Sequence, residues 1–201
     1  MTTRIKVWDL PTRLFHWLLV ASFFGAYLTS ESERLADIHM YLGYAVLGLI
    51  GFRLVWGLVG TRYSRFSSFA FRPSRVVQYL KSLLTRKPEH YVGHNPAGSW
   101  VIYALLLLGL VTGASGYATY NDIGGEWLEE LHEGAAGTML TVVVVHIAGV
   151  LVSSLMHREN LVRSMITGYK TGDGEYKPRP LHSMLGLVLL AGSAVLWSVV
   201  L

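Results

Sequence analysis

Cysteine is absent from the sequence. Its absence excludes disulfides, thiolate-held iron–sulfur clusters and the C-x-x-C-H attachment of c-type haem, so any cofactor must be held without thioether bonds. Charge is scarce too. Only 15% of the 201 residues are Asp, Glu, Lys or Arg, against 52% hydrophobic, and the mean hydropathy is +0.40. An ordinary soluble domain carries about 25% charged residues, so this balance predicts an integral membrane protein with little chain left for a separate soluble domain.

Basic residues are also missing from particular places. Five apolar segments, 11–30, 38–60, 99–118, 132–156 and 183–201, are each long enough, or nearly so, for a bilayer core of about 30 Å. Between the third and fourth there is no Lys or Arg, only Asp122, Glu126, Glu129 and Glu130. Between the first and second, Arg34 stands among Glu31, Glu33 and Asp37. Arg4, Lys6 and Arg13 stand at the start, and the loops 61–98 and 157–182 hold most of the other bases. The positive-inside rule then predicts a multi-pass protein of the bacterial inner membrane, with a cytoplasmic N-terminus, two cytoplasmic loops and a periplasmic C-terminus. The net charge of +4 is a mark of topology, and nucleic acid is not a predicted partner. The run 14–28 followed by TSES looks a little like a secretory signal, but no convincing small-x-small cleavage site follows, so it is read as a retained span.

Against this background the histidines stand out. His132 and His146 lie 14 residues apart in one span. That is close to four helical turns, so both rings leave nearly one face, roughly 21 Å apart along the axis. An imidazole in hydrocarbon is costly unless its ring nitrogens are satisfied, which makes it a functional hypothesis. His16, on the inner half of span one, and His39, at the outer end of span two, match the two depths. His39 pairs with His132, and His16 with His146. Each site gains two imidazoles from two helices, which suits a haem in a helical bundle with both axial positions filled, favouring electron transfer. Zinc or copper would want a third or fourth donor, and neither depth offers one.

The other motifs are weaker. Gly43, one turn past His39, would let a flat macrocycle approach. Arg53 lies 14 residues beyond His39 and needs an anion; a haem propionate would supply it, as would lipid phosphate. The segment 73–87 has apolar residues at helical spacing amid bases and reads as an amphipathic surface helix in the headgroup region. In 91–98, Asn95 can cap and Pro96 can start the third span, whereas His94 between glycines could meet a quinone headgroup. Gly109, Gly113 and Gly116 form a small-residue packing face. His90, His157 and His182 lie at or beyond the edge of the hydrocarbon and read as exposed or interfacial. The segment 168–180 reads as a flexible linker, and the fifth span, without ionisable groups, as a scaffold or partner-contacting helix.

R-L-F-H-W at 13–17, His39 opening span two, R-F-x-x-F at 65–69, G-H-N-P-x-G at 93–98 and the His132/His146 interval together resemble the di-haem b-type cytochromes of the bacterial cytochrome b561 and nickel–iron hydrogenase cytochrome b group, relatives of the formate dehydrogenase membrane subunit. The similarity covers about residues 7 to 165. It implies an all-α four-helix transmembrane bundle holding two haem b groups, to which this chain adds a fifth C-terminal span. It also implies quinone exchange beside the cytoplasmic haem, mapping to His94, Asn95 and Gly98, and a redox partner on the outer face, such as a c-type cytochrome or a reductase or dehydrogenase subunit. No residue pattern points to a hydrogenase, and a homodimer stays open. The leading expectation is electron transfer between a periplasmic redox protein and the quinone pool. A stand-alone superoxide:quinone oxidoreductase and a haem-free transporter are the alternatives.

Overall fold

The computed structural model describes residues 3–85, 89–172, 183–188 and 190–192. Helices dominate it. The first, α1 (Leu10–Thr29), opens where Asp9 accepts a hydrogen bond from Thr12 N at 2.7 Å and Pro11 pre-sets the first turn. After a short 3-10 turn, α2 (Ala36–Val59) runs back. α3 (Pro73–Leu84) is the amphipathic helix read from the sequence, although Tyr79 on its inner face is almost wholly buried. α4 (Pro96–Tyr120) is capped by Asn95. α5 (Glu126–His157), the longest helix, starts after Gly124 and Gly125, both at positive φ, with Glu126 and Glu129 favourably placed in its first turn.

Among the described residues, three helical stretches are long and apolar enough to cross a membrane: Glu33–Val59, Pro96–Tyr120 and Glu126–His157. α1 has 20 residues but carries Arg13, His16 and Thr12. The long helices pack in a row, α1 on α2, α2 on α4, and α4 on α5. Among the described residues, α5 makes no comparable contact with α1 or α2. A slot therefore separates α5 from the α1–α2 pair, and α4 forms one wall of it. Small residues let α4 come close: a Cβ on Gly109 would sit 2.6 Å from Ile50 Cδ1 of α2.

The region 168–180, expected to be a flexible linker, is in part regular structure. Residues Tyr169–Gly172 form strand β2, antiparallel to β1 (Thr3–Lys6), with Lys6 opposite Tyr169 and Thr3 opposite Gly172. The physical reason is the short helix α6 (Leu161–Thr167), which ends at Gly168 in the left-handed region (φ +87°) and aims the chain at the N-terminus. Gly168 O accepts from both Val7 N (2.8 Å) and Trp8 N (3.1 Å). Residues 173–180 lie outside the described part.

The buried cluster Phe15, Leu49, Phe52, Trp56 and Leu190 joins α1, α2 and the helical residues at 190–192. Gly186 packs so closely on Pro11 and Trp56 that a side chain there would collide with both. The described part of the fifth apolar segment thus acts as scaffold against α1 and α2.

Candidate functional site

At one end of the slot, His39 of α2 and His132 of α5 face each other with ring centroids 6.0 Å apart and planes at 78°. Each ring is anchored from a neighbouring helix. His39 Nδ1–H donates to Ala26 O of α1 and His132 Nδ1–H donates to Thr112 O of α4, both at 2.8 Å. A carbonyl only accepts, so each bond fixes the proton on Nδ1 and leaves the Nε2 lone pair free for a metal. Two imidazoles bound on opposite sides of one ion at about 2.0–2.1 Å would have ring centres roughly 6 Å apart. Gly116 makes this possible: a Cβ there would lie 2.8 Å from His132 Nδ1 and Cε1. The sequence showed Gly116 only as a packing residue.

α2 presents bare backbone one turn past His39, on nearly the same face: nothing lies within 4 Å of a Cβ placed on Gly43. The planar room, the absence of further donors and the bis-imidazole pair fit an iron porphyrin. Among the described residues no group of three or more His, Cys, Asp or Glu gathers to hold a bare metal ion.

His16 and His146 occupy the other end, on α1 and α5 across the gap, close enough to interact electrostatically. His16 Nδ1 is shut off from solvent without a hydrogen-bond partner. Beside them lies a polar cluster. Arg53, 3% exposed, holds its guanidinium over Phe66 (4.7 Å) and Phe69 (5.8 Å), and its Nη1 has no partner. The R-F-x-x-F stretch is thus the aromatic seat of Arg53. Asp9 lies within electrostatic range of this buried cation, and the unpartnered Nη1 leaves a donor for a further anion, which a propionate would supply.

His94 is wedged between Phe69 (ring centroids 4.3 Å) and Trp8 (4.6 Å), with Nδ1 buried and unpartnered. Burial, with Arg53, Lys170 and His146 close by, pushes it down from 6.5 to about 3, so at neutral pH it is an uncharged imidazole. Asn95 and Gly98, grouped with His94 from the sequence, are bonded to each other: Asn95 Oδ1 accepts from Gly98 N at 2.7 Å as the cap of α4.

Asp9 is the residue the sequence undervalued. Its carboxylate is 1% exposed and caps α1, but also accepts from Trp56 Nε1 (3.2 Å), Thr61 Oγ1 (2.5 Å) and Ser64 Oγ (2.7 Å). It ties the start of α1 to the end of α2 beneath Arg53. Trp8 and Asp9 carried no signal beyond a helix start, because their partners lie about 50 or more residues away.

A family model described as prokaryotic cytochrome b561 matches residues 7–168, taking in all four histidines of the slot. The chain belongs to that family. As a member of the cytochrome b561 family it is a transmembrane electron-transport protein for which haem iron is implied. It is similar to probable Ni/Fe-hydrogenase B-type cytochrome subunits: that of Cupriavidus necator at 25% identity, covering 82% of this chain and 86% of the relative, and that of Azotobacter vinelandii at 23%, covering 84% and 89%. The Ni/Fe-hydrogenase 1 B-type subunit of Escherichia coli K12 is 24% identical, covering 82% and 90%. No solved structure matches the cytochrome at a significant level.

Proposed function

We propose that the chain is a di-haem b-type cytochrome of the bacterial inner membrane, passing electrons between a periplasmic redox protein and the quinone pool. In this reading the whole chain is one membrane domain. α1, α2, α4 and α5 form the transmembrane bundle and the C-terminal segment adds a fifth span. The N-terminus and the loops 61–98 and 157–182 face the cytoplasm. His39 and His132 hold an outer haem, and His16 and His146 an inner one. A haem held by either histidine pair would supply one-electron chemistry at its iron.

The protein's own contribution is positioning and electrostatics. The carbonyls of Ala26 and Thr112 aim the outer imidazoles. The long α5 sets the two sites roughly 21 Å apart along its axis. Arg53, seated on Phe66 and Phe69, is placed to receive an inner propionate. The neutral His94, on the loop leading into α4, is placed to hydrogen-bond a quinone headgroup, with Asn95 and Gly98 shaping the turn. The names of the relatives support a partner of the hydrogenase type, an oxidoreductase subunit docking at the outer end.

The observation that carries this reading is the His39–His132 pair, 6.0 Å apart with both Nδ1 atoms anchored to backbone. Membership of a cytochrome family speaks against the haem-free transporter. The test is expression with ample haem supply, followed by reduced-minus-oxidised spectra and pyridine haemochrome quantitation. Two haem b per chain are expected, and a colourless protein would end the proposal.

A further inference from the structure

The quinone reading raises a demand that the haem ligands do not meet. Reducing one quinone to the quinol takes two electrons, delivered singly from the outer donor, and two protons, which turn both carbonyl oxygens into hydroxyls. The protons must cross from cytoplasmic water to a buried headgroup. Lipid and the apolar faces of α4 and α5 offer no route, so a chain of ionisable groups is required at the His94 end.

One such chain exists there, and it uses two histidines the sequence marked only as interfacial. His90, exposed on the loop before α4, lies edge-on to His157, the last residue of α5, with ring centroids 5.5 Å apart. His157 is within electrostatic range of Glu159 and Lys170. Lys170 is 6% exposed, 3.4 Å from Glu159 Oε2, and donates to Tyr91 O at 3.3 Å. That carbonyl belongs to the same loop that leads three residues on to His94, and Lys170 and His94 are again within electrostatic range. The order from water inward is therefore His90 and His157, then Glu159 and Lys170, then His94.

Strand β2 sets the middle of this chain. It delivers Lys170 to the loop 89–95, and Thr171 N donates to Glu159 Oε1 at 2.9 Å, which holds the carboxylate beside the lysine. A buried lysine beside one carboxylate is costly as a purely structural device. A resident metal at the histidine pair is disfavoured by the neighbouring Lys170 and by the lack of a third ligand among the described residues. Imidazoles at a surface, by contrast, can pass protons between water and a neighbouring group.

We propose that His90 and His157 are the cytoplasmic intake of a proton path that runs by the Glu159–Lys170 pair to His94 and serves quinone protonation. The path rests on the quinone reading above. Water bridges its gaps, and neutral His94 takes a proton on one ring nitrogen as it releases one from the other. Quinol oxidation would return two protons outward along the same groups.

The experiment uses the haem-loaded protein in detergent, reduced with dithionite and mixed either with a short-chain ubiquinone analogue or with ferricyanide, which accepts electrons without protons. In the double variant His90→Ala/His157→Ala, re-oxidation of the haems by quinone is expected to slow about tenfold or more. Re-oxidation by ferricyanide and both haem spectra should stay unchanged. Added 2-methylimidazole, too hindered to ligate iron well, should restore the quinone rate.

Quinone oxidation of the variant at the wild-type rate overturns the proposal. So does slowing that appears equally with ferricyanide, or slowing that the added imidazole does not relieve. If the wild-type haems react with ferricyanide but not with quinone, the quinone assignment itself fails, an outcome distinct from failure of the path alone.

Discussion

The two ends of the slot are built in different ways. At the His132 end, helices do everything: two histidines meet, backbone carbonyls of adjacent helices fix their tautomers, and a glycine clears the space. At the His146 end, the histidines lie across the gap, and the surroundings come from loops and the chain termini: Trp8, Asp9, Phe66, Phe69, His94 and Lys170. An end assembled from continuous helices can only hold and orient. An end assembled from loops can also exchange, because loops bring ionisable groups from distant parts of the chain to one place. On the function proposed above, the first would be a simple electron port and the second a site that manages protons as well.

The contrast can be broken outright by removing one ligand at a time. If the proposed di-haem arrangement holds, His132→Ala eliminates the outer haem and spares the inner, and His146→Ala does the reverse. Pyridine haemochrome quantitation should fall from two haems to one in each case, with different α-bands surviving. Loss of both haems in either variant would show that the two ends do not assemble independently. Next in size is Gly116→Val. A Cβ at this position already collides with the His132 ring, so the outer haem should be lost or severely perturbed while the inner spectrum persists.

Two smaller effects sharpen the difference. Arg53→Gln removes a buried cation from the inner end alone. Without it the ferric state is favoured, and the inner midpoint potential should fall by about 30–60 mV, equivalent to roughly 0.7–1.4 kcal/mol for a one-electron couple. An equal shift at both haems in a redox titration would contradict the placement of Arg53. The other effect concerns pH. His94 binds its proton at about 3 when folded but at 6.5 when unfolded, so the unfolded chain takes up the proton first as pH falls. Its contribution is complete above pH 6.5 and is lost below, by roughly 1.4 kcal/mol per unit down to about pH 3. Thermal unfolding at pH 7, 6 and 5 should therefore show a gentler acid slope in His94→Phe than in the wild type.

Much of this was legible in the sequence. The starts of α1 and α4 followed from Asp9-x-Pro11 and Asn95-Pro96, which act within one turn; α5 begins at Glu126, ahead of the segment 132–156 read from the sequence, because Gly124 and Gly125 at positive φ end the preceding turn there. The His132/His146 interval followed from helical periodicity over one segment. The polar apparatus at the loop-built end did not. Tyr169-Lys-Thr-Gly172 is only four residues long, without alternation, and its partner strand lies at the other end of the chain. Asp9 reads as a cap because the cap is local, whereas Thr61 and Ser64 lie more than 50 residues away. His90 and His157 look like edge residues because nothing local shows that they share a corner. Periodicity reports what a helix does to its own neighbours, not which loops it gathers.

The ribbon of Thr3–Lys6 and Tyr169–Gly172 has a consequence for how the molecule is made. Thr3–Lys6 is synthesised well before its strand partner and cannot pair until α5 and α6 have been synthesised. Until then Val7 and Trp8 also lack the carbonyl of Gly168. α1, α2, α4 and α5 are therefore all synthesised before the latch can form, when Tyr169–Gly172 reaches back to Thr3–Lys6.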